Sequence, residues 1–209
     1  MKPVAWVIVM TVVVLAGAAE AQTQMIGVTA GVNIANVNGI GNATTRNGVI
    51  VGAFIEDDFI GGFAIQPEIL FSGKGAKTTT SNPLVTQSTW TANYVEVPIL
   101  LKYDFLSLPV VPLNVDLYAG PDFAFNVASK SETTYAGLVT TTDEKGNTQP
   151  FDFNIAVGGG PNIDLGLAKV GVELRYTFGT GSAFKSGGSG NPFGDAKNGV
   201  WSIMASAAF

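Results

Sequence analysis

The sequence predicts an all-β fold: a closed eight-stranded antiparallel up-and-down barrel that crosses a membrane with its strands. Three observations carry this prediction. Mean hydropathy is +0.31, yet beyond the amino terminus no run approaches the roughly 20 apolar residues that a spanning helix needs. Apolar residues instead recur at every second position over eight segments, the period of a strand with two unlike faces. The links between those segments alternate long and short, as in a barrel with long loops on one rim and short turns on the other.

The amino terminus is read first. Lys2 precedes an apolar stretch from Val4 to Ala19, and Ala19-Glu20-Ala21 places small residues at the −3 and −1 positions of a signal peptidase site. Cleavage is expected between Ala21 and Gln22. Residues 1–21 are thus a signal peptide and 22–209 a single outer-membrane barrel domain. Removing one base, Lys2, and one acid, Glu20, leaves the net charge of −5 unchanged.

Four segments alternate clearly. Phe63, Ile65, Pro67, Ile69 and Phe71 share one face, opposite Gln66, Glu68, Ser72 and Lys74. From Val95 to Phe105 every odd residue is apolar, while Glu96, Lys102 and Asp104 lie opposite. Val115 to Val127 and Val170 to Phe178 repeat the pattern, with Asp116, Asp122, Glu173 and Arg175 on the polar side. Weaker alternation marks Ile26 to Ile34, Val49 to Glu56, Phe153 to Ile163 and Val200 to Phe209. The expected long links are 36–48, 75–92, 129–152 and 179–198, all polar. The expected short ones are 57–62, 106–113 and 164–169.

Which face meets lipid is decided by aromatics and charges. Phe71, Phe123, Phe125, Phe153, Tyr176, Phe178 and Trp201 gather toward the long-loop rim, and Phe63, Tyr103, Phe105 and Phe209 toward the other. Two such girdles belong at the two headgroup levels. The opposite face carries mid-strand charges of both signs, which on a lipid face cost up to roughly 2–4 kcal/mol each. The apolar face therefore points outward. Closure follows, because in lipid every backbone N–H and C=O must be bonded internally.

Composition excludes several chemistries. With no cysteine and no histidine there is no disulfide, thiolate metal site, cysteine nucleophile or imidazole base. Sixteen acids against eleven bases argue against nucleic-acid binding. Glu68, Glu96, Lys102, Asp116, Glu173 and Arg175 are the candidate polar network of the lumen. It is read as a structural set that satisfies its own charges in preference to an ion path. Glu56, Asp57 and Asp58 are read as a solvated acidic turn, since their spacing matches no calcium loop. Gly158-Gly159-Gly160 lacks the Lys-Ser/Thr of a phosphate loop and reads as close packing in a curved strand. No cofactor, metal or catalytic residue is expected, and the protein is not read as an enzyme.

The segments GVTAGVNIANV (27–37), FAIQPEILFSGKGAK (63–77), YVEVPILLKYDF (94–105), LYAGPDFAFNV (117–127) and VGVELRYTFG (170–179) resemble the PorT-like outer-membrane β-barrel domain family common in Bacteroidetes. The resemblance implies an eight-stranded barrel in the outer membrane of a Gram-negative bacterium. It implies no activity. The final Phe209 is similar to the assembly signal of outer-membrane proteins. Expected partners are outer-membrane lipid, the barrel-assembly machinery, and an extracellular or secretion-machine protein met through the long loops. The leading reading is a structural or interaction role. An accessory part of a secretion machine and a soluble exported ligand-binding barrel are the alternatives.

Overall fold

The computed structural model describes residues 24–38, 43–59, 61–81, 85–108, 112–182 and 197–209. The expected signal peptide and its expected cleavage point between Ala21 and Gln22 lie outside these. The described residues form nine strands: β1 (Gln24–Asn38), β2 (Ala43–Asp58), β3 (Phe63–Ser81), β4 (Val85–Leu108), β5 (Leu113–Tyr135), β6 (Leu138–Asp143), β7 (Phe151–Asp164), β8 (Lys169–Gly179) and β9 (Lys197–Ala208).

Eight of them close a ring. Each pairs antiparallel with its neighbour in the order β1-β2-β3-β4-β5-β7-β8-β9, and β9 returns to β1. The carboxyl terminus completes the seam: Phe209 and Ile26 exchange backbone hydrogen bonds at 2.9 and 3.0 Å. Among the described residues no ring strand is left with a free edge at the level of the barrel, as lipid requires.

The faces follow the alternation. Val28, Val49, Ile69, Leu101, Leu117, Val172 and Ile203 are all exposed on the outside. Cross-strand ring pairs form the two girdles. Phe123–Phe153, Phe125–Phe151 and Tyr176–Trp201 lie at 5.6, 5.4 and 4.7 Å on one rim, and Phe63–Tyr103 at 4.8 Å on the other. The outward apolar face removes the soluble ligand-binding barrel from the alternatives, since that fold would bury this face.

Two expectations are corrected. Residues 75–92 are not a loop for most of their length, because β3 runs on to Ser81 and β4 begins at Val85. Thr-rich sequence is polar but β-branched, so it extends the hairpin beyond the membrane as solvated strand. Residues 129–152 likewise hold the end of β5 and a ninth strand, β6, which among the described residues pairs with β5 alone.

The interior is not wholly polar. Ile50, Leu70 and Met204 form one buried apolar group, and Leu100, Tyr118 and Ala156 another. Close packing explains the triple glycine. A Cβ on Gly158 would fall 2.5 Å from the Leu174 carbonyl oxygen, 2.7 Å from the Tyr118 hydroxyl and 2.8 Å from its ring, so the missing side chain admits both the neighbouring strand and Tyr118. Gly158→Ala is expected to destabilise the barrel by about 1–3 kcal/mol, the usual cost of overpacking. Urea unfolding in detergent measures it.

Candidate functional site

Two regions carry chemistry: the lumen and a sheet raised above the long-loop rim. The lumen is ordered in three tiers of side chains that alternate inward along the strands.

The middle tier is built on Arg175 of β8. Its guanidinium grips Glu68 of β3 in a fork, Nη1 to Oε2 at 2.7 Å and Nη2 to Oε1 at 2.8 Å. This planar match is the geometry in which arginine binds carboxylate most strongly. Arg175 Nε also donates to the Tyr118 hydroxyl at 3.2 Å, and that hydroxyl donates to Glu173 at 2.9 Å. Gln66 donates to Glu68 at 2.6 Å. Arg175 is 2% exposed, so its charge depends on these partners.

Toward the short turns, Lys102 reaches Glu56 at 2.6 Å and Asp116 at 3.1 Å, while Lys169 takes the other oxygen of Glu56 at 2.7 Å. A cavity of about 20 Å³ remains between them, room for a water or two. The solvated-turn reading of Glu56 is corrected here. The residue is buried and bridges two lysines, because it continues the inward-facing series Ile50, Phe54, Glu56 on β2.

Toward the long loops, Lys74 pairs with Glu96 at 2.5 Å and stands 5.2 Å over the Tyr94 ring. Asn154 and Asn198 donate to Asp122 and Asp152, each at 3.0 Å. The second oxygen of each aspartate takes no hydrogen bond among the described residues. Acid exceeds base in this tier.

All six predicted lumen residues thus lie inside the barrel, divided among three groups and not joined in one. Glu68, Arg175 and Glu173 share the middle group, Lys102 and Asp116 the lower, and Glu96 the upper. Lys74, Glu56, Lys169, Asp122, Asp152 and Tyr118 are partners the candidate set omitted. Parity along the strands marks Lys74, Tyr118 and Asp122 as inward. Lys169 falls in an expected short link, so no parity points to it. The two runs Gln66–Gly75 and Tyr94–Tyr103 supply Glu68, Lys74, Tyr94, Glu96 and Lys102, so the most distinctive sequence of the chain encodes this ion pairing.

Above the girdle, β3, β4, β5 and β6 continue as one sheet. Its rungs run from Ala76–Trp90 to Ser81–Val85 on one side and from Lys130–Asp143 to Tyr135–Leu138 on the other. Lys130 donates to Glu132 at 2.7 Å, and this bond, with the lysine charge, holds the Glu132 carboxyl below its ordinary range. Leu138 and Val139 stand exposed on the outermost strand.

A closed ring, an outward apolar face with two aromatic girdles and a side-chain-filled interior define a transmembrane β-barrel of outer-membrane type. The outer membrane protein beta-barrel domain family matches residues 20–185, and the chain belongs to that family. It is an outer-membrane protein. Among solved structures it is similar to the outer membrane protein OprG from Pseudomonas aeruginosa, with a TM-score of 0.51, 10% identity, and 90% of this chain and 95% of that one covered. It is also similar to Neisserial surface protein A, at a TM-score of 0.48 and 11% identity over 91% of this chain and 100% of that one. The likeness to Ail, the attachment invasion locus protein of Yersinia pestis, has a TM-score of 0.41 and 12% identity, covering 88% of this chain and 98% of that one. At these identities the likeness concerns the fold. No curated protein matches the chain.

Proposed function

We propose that this protein is a non-catalytic outer-membrane barrel that acts by interaction, through the sheet it raises above the membrane. The carrying observation is β6. It is six residues long, Leu-Val-Thr-Thr-Thr-Asp, and among the described residues pairs on one side with β5 alone. Such edges are ordinarily blunted by lysine, proline or a bulge. This one offers β-branched residues and an apolar tip to the strand of another protein. The lumen beneath supports the same reading, since paired charges and packed side chains make a rigid stem and not a pore.

Cell-to-cell or cell-to-surface adhesion by bacteria displaying the protein tests this. Leu138→Lys with Thr140→Lys blunts the edge and leaves the barrel untouched. Adhesion is expected to fall several-fold at equal surface level, and unchanged adhesion refutes the role of the edge. The second reading is an accessory part of a secretion machine in a PorT-like subgroup. The runs Gln66–Gly75 and Tyr94–Tyr103 favour it, and a deletion strain that secretes normally would remove it. Engagement of Phe209 by the assembly machinery belongs to either reading.

A further inference from the structure

The upper tier of the lumen holds four buried oxygens to which no described group donates. Asp122 of β5 pairs in register with Asn154 of β7, and Asn154 with Gly179 of β8. Asn198 of β9 flanks the same glycine, its backbone N 3.3 Å from where a Cβ of Gly179 would stand. Each asparagine turns its amide nitrogen to a carboxylate, Asn154 to Asp122 and Asn198 to Asp152. Its amide oxygen must then face the other way. Among the described residues Oδ1 of Asp122, Asp152, Asn154 and Asn198 accepts no hydrogen bond, and all four residues are at most 3% exposed. Two of these oxygens lie over a glycine floor. Asn154 Oδ1 is 3.4 Å from the place a Cβ of Gly179 would take, and Asp152 Oδ1 is 4.0 Å from that of Gly181.

Charge decides what belongs there. Asp122, Asp152 and Glu96 bring three negative charges to the tier, and Lys74, paired with Glu96, brings one positive charge. Arg175 also acts on Asp122 from the middle tier, but it is held in the fork with Glu68. Two negative charges are left without a cation, and an uncompensated buried charge is costly. Water would satisfy the oxygens and leave that charge standing, whereas a divalent cation answers both. Carboxylate and amide oxygens as ligands select a hard ion. Calcium accepts irregular sets of about six to eight oxygens, some of them water, while magnesium demands a near-ideal octahedron and dehydrates reluctantly.

We propose that Asp122, Asp152, Asn154 and Asn198 hold one calcium ion beneath the long-loop rim. The ion ties β5, β7 and β9 together across the glycines of β8 and cancels the surplus charge of the tier. Among the described residues no three carboxylates converge on one point, so the two amide oxygens and water complete the ligand set. Two carboxylates place the affinity at about 10⁻⁴–10⁻³ M, the range of extracellular calcium modules. Local sequence hides the site, because three strands supply its four side chains.

The test follows urea unfolding of the full-length protein, refolded in detergent, with EDTA, with calcium chloride, or with sodium chloride of equal ionic strength. At about 10 mM calcium the unfolding constant is expected to fall about ten- to hundredfold, as binding to the folded state alone requires at this affinity. Isothermal titration is expected to find one ion per chain. Asp122→Asn and Asp152→Asn keep the shape of the side chains and are expected to abolish both signals. Asp143→Asn, exposed at the end of β6, is expected to keep them. Heat-modifiable mobility confirms that the variants are folded. Three results would overturn the inference: a wild-type unfolding constant indifferent to calcium, an equal effect of sodium, or a full calcium response in both folded variants at Asp122 and Asp152.

Discussion

Arg175→Met is expected to cost the barrel about 3–5 kcal/mol, the penalty for removing one partner of a buried ion pair. Glu68 is buried at 4% exposure and would keep only the Gln66 amide as a donor. Tyr118 would lose the Nε–H it accepts, and Glu173 its nearby positive charge at 3.6 Å. Urea titration in detergent, followed by heat-modifiable mobility, gives the value. The double variant Glu68→Gln with Arg175→Met is expected to regain most of the loss, because a buried pair replaced on both sides leaves no orphan charge. A double variant no more stable than the single one would show that the ion pair is not what holds this tier.

Leu101→Arg is expected to block assembly, whereas Thr177→Arg is expected to be milder. Leu101 lies on the outer face, 52% exposed, two residues above the Tyr103 of the lower girdle. Arginine there meets hydrocarbon, at a cost of about 2–4 kcal/mol near the midplane. Thr177 faces the lumen at 6% exposure, one inward step from Asn154 and Asp122, in the tier where acid exceeds base. An added guanidinium there finds the free oxygens of Asp122 and Asp152. The ratio of folded to unfolded protein in outer-membrane fractions measures both. Equal assembly of the two variants would contradict the placement of the faces.

Period-two alternation made the inner and outer faces readable from sequence, because a strand has one residue parity per face and the two environments are opposite. Glu68, Glu96, Lys102, Asp116, Glu173 and Arg175 stand where that parity puts them. The extent of the strands was less legible. Above the membrane both faces of a strand are wet, so the Thr and Ser residues of 75–92 and 129–143 show no alternation and read as loop. β6 is hidden for the same reason. Pairing across the lumen was also out of reach. That Lys169 bridges to Glu56, 113 residues away, depends on ring closure and register, which no local pattern encodes. Phe151 joins the girdle because it pairs with Phe125, although it sits in a segment that reads as a link.

The central claim is a closed barrel whose odd residues on β4 face lipid and whose even residues face a filled lumen. A chain without cysteine allows this to be measured one position at a time. Single cysteines at Val95→Cys, Val97→Cys, Ile99→Cys and Leu101→Cys, and at Glu96→Cys, Leu100→Cys and Lys102→Cys, are labelled with a fluorophore in vesicles carrying a lipid-borne quencher. Quenching is expected at every odd position and at none of the even ones. The opposite parity, or uniform quenching along the strand, would contradict the account.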